Sequence, residues 1–189
     1  MPYITVDESL PGIRSLMAFR PETAAPLGEL AEILLHDENN SLTRAERELI
    51  ATHVSYLNDC FYCHNSHGAL AACYMDGDNS LVDAVRTDYQ TAAISEKLRA
   101  LLRIAGKVQQ SGKAVRPEDI DNARAQGATD REIHDTVLIA AAFCLFNRYV
   151  DGLASIAPTD MESYPIRAKQ VAERGYGPHI YSKQQPVEG

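Results

Sequence analysis

Helical periodicity limits this chain more than any other feature. Apolar residues recur three and four positions apart along most of it, and no segment alternates apolar with polar between turn residues as a strand would. In "PETAAPLGELAEILLHD", Leu27, Leu30, Ile33 and Leu34 keep helical spacing. In "SLTRAERELIATHVSYLND", Thr43 is a candidate cap and Glu46, three residues on, completes a capping box. Two helices follow, "NSLVDAVRTDYQTAAI" and "ISEKLRALLRIAGKVQQSG", the second closing at Ser-Gly. "VRPEDIDNARAQG" has Pro117 near its start and Gly127 at its end, the usual asymmetry of a short helix. "TDREIHDTVLIAAAFCLFNRYVDGLASI" is the longest and most apolar segment and is expected to be the central helix, buried on several sides.

These segments predict one all-α domain over residues 1–189. Its core spans about 22–173, and residues 174–189 form an extended C-terminal arm. A chain of 189 residues buries enough surface to fold without a disulfide or metal staple. The net charge of −8 and the lack of a basic run argue against nucleic-acid binding, which rests on Lys and Arg against phosphates. Apolar runs such as "VLIAAAFCLF" are shorter than a bilayer crossing needs, and "MPYITVDESL" lacks the basic and apolar parts of a signal peptide. A cytoplasmic protein is the expectation. The glycine motifs that cradle phosphates are missing, and no cofactor is expected.

The chemistry is concentrated in "ELIATHVSYLNDCFYCHNSH", residues 48–67. Cys60 and Cys63 form a C-x-x-C pair, which in a reducing compartment means a catalytic dithiol or a metal pair more often than a structural bridge. Cys73 and Cys144 lie among Ala, Leu and Phe and read as small apolar fillers. If a helix begins at about Cys60, its ~100° step puts Cys60, Cys63, His64 and His67 on one stripe and turns Cys73 about 140° away. The start of that helix would also stabilise a thiolate. His67 lies one turn beyond Cys63, within reach for proton exchange. His64 is the weaker candidate, equally well read as a polar filler. Periodicity puts Glu48 opposite the apolar side of its helix, so its default is solvent. The small neighbours Ala51, Thr52 and Ser55 would nevertheless let a second helix approach and turn Glu48 into a cleft. His53 falls on the apolar side and reads as a packed histidine.

Taken as ligands, Cys60, Cys63, His67 and Cys73 have nearly the spacing of a zinc knuckle. The residues between them favour a helix, which carries Cys73 to the wrong side. A zinc site of Cys60, Cys63 and His67, with Glu48 added, stays open as an alternative.

The pattern Glu48-x11-Cys60-x2-Cys63-x3-His67, with Val54, Ser55 and Asn58 inside it and "LTRAERELIA" before it, resembles the alkylhydroperoxidase D and carboxymuconolactone decarboxylase superfamily. The resemblance is specific over residues 41–70. The length, "FNRYVDGL" and the tail are similar to its uncharacterised peroxidase-related branch. It implies an all-helical fold that assembles as a homo-oligomer and a peroxidase with a redox-active cysteine pair. In that scheme Cys63 attacks the hydroperoxide, Cys60 resolves, and Glu48 and His67 relay protons. A separate dithiol protein would supply the reductant. Decarboxylase members lack the cysteine pair. The alkylhydroperoxidase has a histidine just before the second cysteine, where this chain has Tyr62, with His64 after it. A dithiol oxidoreductase or redox sensor not specific for peroxide is the second function class.

Overall fold

The computed structural model describes residues 1–181 and is helical throughout, with no strand among them. Its α-helices are α1 (Ile13–Phe19), α2 (Pro21–Ala31), α3 (Arg44–Leu57), α4 (Phe61–Cys73), α5 (Ser80–Asp88), α6 (Glu96–Gln110), α7 (Pro117–Ala125), α8 (Asp130–Gly152) and α9 (Ser163–Arg174). A π-helical turn, Glu32–His36, prolongs α2, and 3-10 turns lie at Gly112–Ala114 and Pro178–Ile180.

The capping box fixes where α3 starts. Thr43 Oγ1 accepts from the Glu46 N–H at 3.1 Å, and Glu46 Oε2 accepts from the Thr43 N–H at 2.8 Å. Thr129 and Glu132 repeat the device at the head of α8. Pro117 occupies the first turn of α7, where its missing N–H costs nothing.

The centre of the bundle is α3, not α8 as the apolar pattern predicted. Residues from Arg47 to Ser55 are buried without a break, and α3 packs against α4, α5, α6 and α8. Helix α8 has 23 residues, long enough to cross a membrane, and packs along α3 and α6. It nevertheless keeps an exposed stripe through Arg131, His134, Leu138, Leu145 and Arg148. Arg47 is tolerated inside because Leu34 O and Asp37 O accept from its guanidinium, at 3.2 and 2.9 Å.

Two helices lie outside the predicted set. Helix α1 has seven residues, too short for a period to show. Helix α9 is polar and carries Pro165, yet Tyr164, Ala168 and Val171 face inward at helical spacing and pack on α4. After α9 the chain turns back over the bundle as far as Tyr181. Residues 182–189 of the expected arm lie outside the described residues.

Candidate active site

The α3–α4 corner builds the site. Asp59, in the left-handed region at φ 56°, reverses the chain, and Cys60 becomes the N-cap of α4. The Cys60 N–H donates to Ser55 O at 3.0 Å, which ties the corner to α3. Cys60 and Cys63 are both free thiols and both buried, at 0% and 3% exposure, against Val150 of α8 and Tyr62. Cys73 is half-buried in a separate cluster with Leu70 and Tyr74, and Cys144 is half-buried at the edge of the main core.

Glu48 is fully buried, contrary to the solvated default of its periodicity. From Arg47 to Ser55 its helix is enclosed on all sides, so no face of that stretch meets water. The carboxylate is satisfied by two side chains: His67 Nδ1 lies 2.7 Å from Oε2, and Tyr176 Oη donates to Oε1 at 2.7 Å. With Glu48 ionised, the His67 proton sits on Nδ1, and Nε2 is left as the basic nitrogen. The imidazole is held edge-on by Phe143, with ring centroids 4.5 Å apart, and stacks on Tyr176 at 6.2 Å with planes 12° apart. Burial and the Glu48 charge keep the Tyr176 phenol protonated well above its ordinary range.

A cavity of about 100 Å³ opens beside this group, and Cys63, His67, Tyr62, Phe143, Phe146 and Tyr176 are among its lining residues. Cys63 and His67, four residues apart on α4, therefore share one space. A hydrogen bond to Cys60, burial and the Cys60 charge push the Cys63 thiol well above its ordinary value, while Asn147 pulls it down. The helix start was expected to favour a thiolate. Burial and the second thiol outweigh it, so reduced Cys63 is protonated at neutral pH and needs a base. Asn147 belongs to a chain of amides, receiving from Asn58 at 2.8 Å and donating to Ser55 Oγ at 3.0 Å.

His64 is not among the cavity-lining residues. Its ring packs edge-on against Tyr56 and Phe61, and burial with the Arg86 charge lowers its pKa to about 4. His53 is packed edge-on to Tyr89 at 4.9 Å, away from the cavity. Among the described residues no group of three or more His, Cys, Asp or Glu is arranged to hold a metal ion, and His67 Nδ1 is committed to Glu48.

Sequence reasoning did not single out Tyr176, Asn147 or Phe143. Asn147 had a signal, as a buried-face amide in an otherwise apolar run. Tyr176 had little, since it lies past the last helix in a stretch without period.

Residues 21–107 match the carboxymuconolactone decarboxylase family. No curated protein matches the chain. Two solved structures are similar over most of its length. One, described as an alkylhydroperoxidase AhpD core and uncharacterised peroxidase-related protein, is from Ralstonia eutropha JMP134. It is 29% identical, with a TM-score of 0.73, over 80% of this chain and 78% of that one. The other, an uncharacterised peroxidase-related protein from Silicibacter sp. TM1040, is 28% identical with a TM-score of 0.73, over 82% and 78%. A protein of unknown function from Agrobacterium tumefaciens, linked by its description to antioxidant defence, shares the fold at 18% identity and a TM-score of 0.66, over 85% of this chain and 100% of that one.

Proposed function

This chain belongs to the alkylhydroperoxidase D and carboxymuconolactone decarboxylase superfamily, and from that premise we propose that it is a thiol-dependent peroxidase reducing hydroperoxides through Cys60 and Cys63. The observation that carries the reading is the bond between His67 Nδ1 and buried Glu48, one helical turn from Cys63 and on the same cavity. That bond leaves Nε2 to take and return a proton where a hydroperoxide would lie.

The steps balance as follows. Nε2 of His67 takes the Cys63 proton, and Glu48 stabilises the imidazolium that forms. The Cys63 thiolate attacks the outer peroxide oxygen, forming an S–O bond while the O–O bond breaks. The departing alkoxide takes the proton back from Nε2 and leaves as an alcohol. Cys63 is now a sulfenic acid. The Cys60 thiol condenses with it, forming the disulfide and releasing water. A separate dithiol protein then returns two electrons and two protons by thiol exchange. The same proposal places the protein in the cytoplasm, where reductants of that class operate. It also makes the protein a homo-oligomer, supported by the apolar side chains left exposed at Leu138, Leu145, Tyr56 and Phe61.

The test is a thiol count on reduced protein given one equivalent of cumene hydroperoxide. Wild type should lose two thiols. Cys60→Ser should lose one and accumulate a sulfenic acid that dimedone traps. Cys63→Ser should consume no peroxide. Reversed outcomes for the two variants would exchange the roles; retention of the first turnover by both would sink the reading.

A further inference from the structure

The cavity beside Cys63 is apolar over most of its wall, through Met17, Leu35, Leu70, Phe143 and Phe146. Two of its lining residues are arginines, Arg14 from α1 and Arg167 from α9. Both lean on one backbone carbonyl: Arg14 Nε donates to Ile180 O at 2.5 Å, and Arg167 Nη2 to the same oxygen at 3.4 Å. Arg167 Nη1 also donates to the Gln170 side-chain oxygen at 2.8 Å.

Neither arginine forms an ion pair with a carboxylate among the described residues. Among the described residues, the groups that act most on Arg167 are the cations Arg14 and Arg174 and the phenols of Tyr62 and Tyr176. Burial and those cations lower the Arg167 pKa. A pair of half-buried guanidiniums would ordinarily be matched by an acid. A structural latch on Ile180 explains one arginine. It does not explain two, because a carbonyl supplies lone pairs but no charge. The second adds desolvation and repulsion that an anion would remove. The Arg14 terminal nitrogens, which have no hydrogen-bond partner among the described residues, are the donors such an anion would meet.

We propose that this cavity binds a small organic carboxylate, its charge on Arg14 and Arg167 and its apolar body against Phe143 and Phe146. Within the peroxidase reading, on which this extension rests, the substrate is then a carboxylate-bearing hydroperoxide whose apolar body lies between the arginines and Cys63. The size of the cavity, about 100 Å³, suits a short acid better than a long-chain one.

The experiment needs no turnover. Hexanoate, hexanamide and inorganic phosphate are each titrated against reduced full-length protein, and the rate at which iodoacetamide alkylates Cys63 is followed by mass spectrometry. Hexanoate should protect at a concentration about tenfold or more below hexanamide, the range of a charge-assisted hydrogen bond. Phosphate, which has no apolar body, should protect poorly. Arg14→Gln and Arg167→Gln should each erase the preference of acid over amide, and Arg14→Lys and Arg167→Lys should keep part of it, which separates charge from folding. Equal protection by acid and amide would overturn the proposal, as would a preference that survives both Gln variants. Phosphate matching hexanoate would also overturn it, by removing the apolar body from recognition. If hexanoate keeps its preference while the thiol count shows no peroxide consumption, the peroxidase reading falls and the anion site stands. If peroxide is consumed and the preference is absent, the reverse holds.

Discussion

Tyr176 Oη donates to Glu48 Oε1 at 2.7 Å across 128 residues of chain. The link makes the site a composite of the central helix and the segment after the last one. Its geometry rests on Gly175, which at φ 70° turns the chain so that the Tyr176 N–H reaches Glu32 Oε2 at 2.5 Å. A side chain at Gly175 would collide with that carboxylate. Once placed, the phenol both satisfies Glu48 and covers one face of His67.

Tyr176→Phe keeps the ring and removes one donor from a buried carboxylate. A hydrogen bond to a charged group contributes about 1.5–3 kcal/mol, and Glu48 steers the basic nitrogen of His67. Peroxide-driven thiol oxidation, followed by stopped flow, should slow by about tenfold. An unchanged rate with lowered thermal stability would make Tyr176 purely structural.

The Cys63 thiol carries a prediction with a definite sign. Cys60 is the first cause that raises it, so Cys60→Ala should lower its pKa. At pH 7 iodoacetamide should then alkylate Cys63 faster in the variant than in reduced wild type. The gap should close as pH rises and the wild-type thiol also ionises. Equal or slower alkylation in the variant would contradict the stated cause.

Much of this architecture was legible because local chemistry announces it. Thr43 and Glu46 fixed the start of α3, and the four-residue step from Cys63 to His67 put both on one helical stripe. Glu48 was ambiguous, because periodicity assumes one wet face and α3 has none between Arg47 and Ser55. Helix α9 was hidden by Pro165, which a first turn tolerates. Tyr176, Arg14 and Arg167 could not be read at all, since their importance comes from long-range closure of α1, α9 and the following turn over the cavity.

His53 predicts acid lability. It is 4% exposed, its Nδ1 has no hydrogen-bond partner among the described residues, and burial lowers its pKa to about 4 from 6.5. Protonation is disfavoured in the folded state, so between those values the unfolded chain binds the extra proton. Stability from this group is therefore whole above pH 6.5 and falls as pH drops towards 4. The full effect is on the order of 3 kcal/mol. His53→Phe preserves an aromatic ring beside Tyr89 and cannot titrate. Urea midpoints measured from pH 7 to 4 should decline less steeply in this variant; parallel curves would remove His53 as the cause.

The last prediction concerns how Glu48 and His67 share one task. Glu48 touches His67 through Nδ1 and is not among the residues lining the cavity, so it acts through the imidazole. His67→Ala should slow Cys63 oxidation by about 10²–10⁴-fold, the range of a lost general acid–base. Glu48→Gln should cost less, because the ring still carries a basic nitrogen, though its proton is no longer held on Nδ1 by a charge. The double variant decides the arrangement. If Glu48 works only through His67, then once His67 is Ala the second substitution should cost nothing further in rate, and the two effects will not add. Stability follows a different rule. His67→Ala leaves a buried carboxylate with Tyr176 as its remaining side-chain donor among the described residues, so Glu48→Gln in that background should restore some melting temperature. Additive rate losses in the double variant would show that Glu48 acts independently of the histidine and would break the relay.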